Sequence, residues 1–141
     1  MATTTATITL SSSDITDNAL SISNTATLTT AGTDTGITEF TGIARVKTST
    51  GSNTLLLDFG LTGGVAQDVT ADKSAKVYIK NVNDRGDGTK YVDILIKTRE
   101  IGRLYGGDFM FIPYSGGTGE DIEYTASDTT ETTLEYVVFY E

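Results

Sequence analysis

The sequence predicts an all-β protein, and three observations carry that prediction. Threonine is the dominant residue, with 27 copies in 141 residues and ten of them within residues 3–30. A β-branched hydroxyl side chain packs on a pleated sheet yet stays hydrated. Apolar residues recur with a period of two, and Gly-rich breaks interrupt them at short intervals. No stretch sustains a helical period.

The first segment, Ala2–Thr30, alternates Ile8 and Leu10, then Leu20, Ile22, Ala26 and Leu28, with Thr and Ser. Its only charged residues are Asp14 and Asp17. The link Ser11–Asn18 is built from side chains that bond back to the backbone and favour turns. Residues 1–30 are therefore expected to form an extended strand arm or a hairpin, too poor in apolar positions to make a core alone. Residues 31–141 are expected to form the folded domain.

Eight strands are expected there: Ile43–Thr48, Thr54–Phe59, Ala75–Val82, Tyr91–Lys97, Ile101–Tyr105, Phe109–Tyr114, Ile122–Ala126 and Leu134–Tyr140. The breaks fall at Gly60, Gly63-Gly64, Gly86-Asp87-Gly88, Gly106-Gly107 and Ser115–Gly119. Alternation assigns Val77 and Ile79, and Val92, Ile94 and Ile96, to a core face. Lys76–Val82 and Lys90–Lys97 are expected to pair as a hairpin across Asn83–Thr89. The last strand is the most apolar and is expected to lie centrally, because such a strand at an edge would recruit other chains. An antiparallel β-sandwich, jelly-roll-like, of about eight strands plus the N-terminal arm fits this count.

Composition narrows the chemistry. The chain has no His, no Cys and no Trp, which removes disulfides, thiolate metal sites and imidazole-driven nucleophilic catalysis. Ser and Thr abound, but no base stands in a motif with them. No apolar run approaches the roughly 18–20 residues that cross a bilayer, and no charged leader with an apolar core opens the sequence, so neither a membrane partner nor a signal is expected. The net charge of −9 repels a phosphate backbone and argues against nucleic acid. No Lys or Arg follows Arg103, whereas eight acidic residues do, giving a solvated acidic face or a dock for a basic partner.

Four local patterns each admit a functional and a plain structural role. Arg85-Gly86-Asp87 matches an integrin-read tripeptide, but a tight turn demands Gly and Asp anyway. Asn81, Asn83, Asp84 and Asp87 crowd oxygen ligands into one loop without the spacing of a calcium-binding helix-loop-helix. Ser115–Gly119 lacks the Lys and the following helix of a phosphate cradle. Glu120, Asp121 and Glu123 are close in sequence, yet no cleft signature supports glycoside cleavage. The aromatics cluster from Tyr105 to Tyr140; core or inter-subunit packing is expected for most, with sugar stacking as the sharper alternative. No catalytic, cofactor-binding or metal-ligating residue is assigned, and no enzyme is expected.

The run Val77-Tyr78-Ile79-Lys80-Asn81, Tyr91-Val92-Asp93-Ile94, Ile101–Pro113 and Leu134–Phe139 resembles small virion structural proteins of tailed phages, especially of marine and cyanobacterial hosts, which decorate or cement the head. The resemblance covers residues 75–141, is one of sequence style, and transfers no functional residue. The Thr-rich start Met1–Thr5 is similar to such proteins as well. It implies a non-enzymatic virion protein on the outer surface of the capsid, bound to the major capsid protein and to itself as a homotrimer. The alternative is a receptor- or glycan-binding module of a tail fibre, with loop residues such as Tyr114 and Asp121 reading a sugar.

Overall fold

A computed structural model describes residues 4–13, 19–29, 37, 39–48, 51–57, 75–86, 88, 90–114, 120–127 and 131–140. The breaks at Gly60, Gly63-Gly64 and Ser115–Gly119, the link residues Asp14–Asn18, and Asp87 lie outside the described residues. The described residues contain strands and turns and no helix. The chain divides into two compact units, Met1–Thr38 and Glu39–Glu141.

In the first unit, β1 (Thr5–Ser12) and β2 (Leu20–Thr27) pair antiparallel, Thr5 opposite Thr27 and Ser12 opposite Leu20. Period two puts Ile8, Leu10, Leu20 and Ile22 on one face. Thr5, Thr7, Thr9 and Ser11, with Ser21, Ser23, Thr25 and Thr27, take the other. Thr7 and Thr25 share a hydroxyl hydrogen bond of 2.9 Å across the pair.

The second unit is an antiparallel β-sandwich. One sheet contains β3 (Glu39–Phe40), β4 (Ala44–Thr48), β11 (Thr132–Tyr140), β6 (Ala75–Asn81) and β9 (Phe109–Tyr114). β3 and β4 pair successive parts of the same edge of β11 and act as one strand broken at Gly42, whose φ of 77° suits glycine. The other sheet orders β5 (Thr54–Leu57), β10 (Ile122–Ala126), β7 (Tyr91–Ile96) and β8 (Arg99–Tyr105). With β3–β4 counted once and the eight strands numbered along the chain, the sheets run 1-8-3-6 and 2-7-4-5. One core joins them: Val77, Ile79, Leu134 and Val138 from the first sheet meet Leu57, Val92, Ile94 and Ile122 from the second.

As expected, β11 is central, between β4 and β6. Pro113, the one proline, sits on the edge strand β9, where a missing N–H costs no ladder bond between neighbours. The expected hairpin of Lys76–Val82 with Lys90–Lys97 is not formed. β6 pairs with β11 and β9, while β7 pairs with β10 and β8, so the connection between them crosses from one sheet to the other. Alternation fixes which face of a strand is buried but not which strand lies beside it.

β7 and β8 instead make the tight hairpin, through Lys97 and Thr98 at φ 49° and 64°. Two positive φ values define a turn normally made by Asn-Gly, so no sequence signal marked it. A β-branched residue in the left-handed region is strained by about 1–2 kcal/mol, of which glycine's greater unfolded entropy returns part. Thr98→Gly is therefore expected to raise the stability of this unit by roughly 0.5–1 kcal/mol. The midpoint of urea unfolding at unchanged slope measures it, and a lower midpoint would contradict the strain.

Candidate binding surfaces

The outer face of the first sheet carries an aromatic field. With Val77, Ile79, Leu134, Tyr136 and Val138 turned into the core, the intervening residues of β6 and β11 face outward. Register then places Val137, Tyr78 and Phe111 in one row, Phe139, Lys76 and Pro113 on one side of it, and Glu135, Lys80 and Phe109 on the other. Phe40 stacks on Phe139 at 6.3 Å between centroids, and Tyr78 lies 6.0 Å from Phe109. Phe40, Phe109 and Ile43 are 63%, 58% and 71% exposed. Ion pairs rim the field, Arg45 with Glu135 at 2.8 Å and Lys47 with Glu131 at 2.6 Å.

Core or inter-subunit packing is expected for most aromatics; Tyr124 and Tyr136 lie in the core, whereas Phe109 is exposed. In β9, Met110, Ile112 and Tyr114 pack against the core, which turns Phe109, Phe111 and Pro113 outward. All six residues of this strand are apolar or aromatic, so its composition could not choose the face.

The outer face of the second sheet has a polar cluster that sequence reasoning missed. Arg103 holds Asp93 through Nε at 2.7 Å and Nη2 at 3.2 Å, and its guanidinium lies 3.8 Å from the centre of the Tyr91 ring. Tyr105 meets Tyr91 edge-on at 5.6 Å. The bond to Asp93, then one to Tyr105, raise the Arg103 pKa above its ordinary value, so it is a fixed cation. Folding β7 onto β8 symmetrically about Lys97-Thr98 sets Asp93 opposite Gly102; a register shift between Ile94 and Leu95 brings Arg103 there. That shift is the signal the sequence lacks.

At one end of the sandwich the oxygen-rich loop proves to be a hydrogen-bonded knot. Asn81 is fully buried; its Nδ2 donates to the Leu104 carbonyl at 3.0 Å, and its Oδ1 accepts from the Asn83 backbone N–H at 3.1 Å and from Asn83 Nδ2 at 2.6 Å. Asp84 Oδ1 accepts from the Gly86 N–H at 3.2 Å. Arg85 pairs with Asp108 and donates to the Gly106 carbonyl at 3.3 Å. Asn81, Asn83 and Asp84 are thus turned to the backbone, and Arg85 is held against the β8–β9 turn. No group of three or more potential ligands among His, Cys, Asp and Glu occurs among the described residues.

The acidic trio is likewise dispersed into local contacts. Glu123 Oε2 accepts from the Thr98 N–H at 3.1 Å, Glu120 lies 3.7 Å from Lys97 Nζ, and the Asp121 carbonyl accepts from the Lys97 N–H at 3.2 Å. Tyr114 is half-buried, packs against the core and donates its hydroxyl to the Glu120 carbonyl. Burial, followed by the charges of Glu120 and Asp121, pushes its pKa up to about 12. A folded pKa above the unfolded value of 10.0 means a stabilising contribution complete below pH 10.0 and lost as pH rises through about 12. A phenolate absorbance titration is expected to show a component at about 12 that Tyr114→Phe abolishes. An unchanged titration curve in that variant would contradict the assignment.

Comparisons with known proteins add little. No family model matches the chain, and no curated protein matches it. The solution NMR structure of a de novo designed double-stranded β-helix is similar to 72% of this chain and to 100% of its own, at 13% identity and a TM-score of 0.36. A likeness that low carries no argument.

Proposed function

We propose that the chain is a non-enzymatic structural protein of a tailed-phage virion, which binds the outside of the capsid against the major capsid protein, self-associates as a homotrimer, and stabilises the head. The observation that carries this reading is the aromatic surface on the outer face of the first sheet, where Phe40 and Phe109 are exposed on the two edge strands with Lys76, Lys80 and the Arg45–Glu135 pair among them, the mixed aromatic and charged character of an interface. The resemblance of residues 75–141 to phage decoration proteins supports the choice of partner. The strand order 1-8-3-6 and 2-7-4-5 supports a jelly-roll reading of the sandwich.

Magnitudes explain why several copies would act together. The exposed apolar area of the field is on the order of 400 Å², worth roughly 10 kcal/mol at about 25 cal/mol per Å². Association costs about 4–15 kcal/mol, so a single face binds weakly. Linking copies makes the later contacts intramolecular and raises retention without new chemistry. Each bound copy then favours the closed shell by mass action against the pressure of packaged DNA.

Virions made without this protein are expected to show intact tails and bare, fragile heads in negative stain; intact heads with missing fibres would overturn the reading in favour of a tail component. That second reading, a receptor- or glycan-binding module, draws on the Tyr91–Arg103–Tyr105 cluster, where aromatic rings and a fixed cation share one exposed face. A glycan-array signal abolished by Tyr91→Ala would support it.

A further inference from the structure

We propose that the N-terminal hairpin is the self-association element, three copies joining it edge to edge into a closed six-stranded barrel with apolar faces inward and hydroxyl faces outward. This deepens the self-association proposed above and rests on it.

The hairpin asks for a partner on three counts. Ile8, Leu10, Leu20 and Ile22 share one face and are 45%, 52%, 40% and 48% exposed. Among the described residues β1 and β2 pair only with each other, and an isolated two-stranded ribbon is marginal in water. Its described strands hold no charged residue and no proline, the devices that usually blunt a free edge.

Charge and area identify that partner as other copies of this chain. Of the 19 acidic and 10 basic residues, all but Asp14, Asp17 and Asp34 lie from Glu39 onward. Repulsion between chains of net charge −9 is therefore weakest where the hairpin's uncharged strands meet. Two hairpins stacked face to face would cover on the order of 400 Å² each, about 800 Å² in total, below the roughly 1,200 Å² of a stable interface. Two copies also supply four strands and leave edges open. Three supply six, so every edge is paired and the large apolar side chains of each copy fill the interior. Apolar and hydroxyl positions alternate from Thr5 to Ser11 and from Leu20 to Ser23, as a closed barrel wall needs, and Ser12 and Asn24 add two polar side chains to the inner face.

Light scattering on the full chain at tens of micromolar is expected to give three times 15.0 kDa. Ile22→Glu, opposite Leu10 on the apolar face, is expected to give the single-chain mass. All seven tyrosines lie between Tyr78 and Tyr140, so an unchanged near-ultraviolet tyrosine signal would show that the sandwich stays folded in this variant. Thr9→Glu, on the hydroxyl face, is expected to leave the trimer intact. A single-chain or dimer mass for the natural sequence, a trimer that persists in Ile22→Glu, or a trimer lost in Thr9→Glu would each overturn the proposal. No capsid is needed: a trimer that fails to bind particles would count against decoration alone, and a monomer that binds them would count against self-association, and the barrel with it, but not against decoration.

Discussion

Gly106→Ala is expected to destabilise the Glu39–Glu141 unit by about 3 kcal/mol or more. A Cβ at this position would stand 2.4 Å from the Asp84 carbonyl oxygen, 2.7 Å from its carbon and 2.9 Å from the Asn83 carbonyl oxygen. All three are backbone atoms, so no rotamer change can relieve the contact. The loop following Asn81 and the β8–β9 turn must separate, and the bonds from the Asn81 N–H to the Asp108 carbonyl and from the Gly107 N–H to the Asn81 carbonyl go with them. For a domain of this size the melting temperature should fall by roughly 10–20 °C. Gly88→Ala, where an added Cβ meets nothing within 4 Å, should change it little. Equal melting temperatures for Gly106→Ala and the natural protein would contradict the close approach.

Asn81→Leu is expected to cost a similar amount for the opposite reason: space is preserved while hydrogen bonds are lost. The variant leaves the Leu104 carbonyl and the Asn83 backbone N–H without their partner at a fully buried side chain. Each buried group left unsatisfied costs about 1–3 kcal/mol, and the apolar replacement cannot compensate. Since Asn81 stands on β6 and Leu104 on β8, the bond ties the two sheets together at this end. Asn83→Ala should cost less, because Asn83 is half-buried and water can take over part of its bonding. Urea unfolding measures both, and a fully stable Asn81→Leu would contradict the account of the knot.

Much of the fold was legible because burial imposes period two on a strand. Val77 and Ile79 against Lys76 and Lys80, and the apolar run from Leu134, gave the faces of β6 and the central position of β11. Partners were less legible. The wrong pairing of β6 with β7 arose because a Gly-rich loop suits a crossing between sheets as well as a hairpin, while the true hairpin turns on Lys97-Thr98 without glycine. The surfaces were least legible. Phe109 and Phe111 face outward only because Met110 and Ile112 face in, and Arg103 reaches Asp93 only through a register shift. Such facts belong to register, which one sequence does not encode locally.

Retention of the protein on purified virions across a salt series tests the central claim most directly. Docking through apolar surface should persist from 0.1 M to 1 M salt, over which the Debye length falls from about 10 Å to roughly 3 Å, and should be indifferent to a chelator. Phe109→Glu, in the exposed aromatic field, should release it at every salt concentration. Release of the natural protein by moderate salt, with Phe109→Glu retained as well as the natural protein at low salt, would contradict the account and move the contact to the acidic residues that follow Arg103.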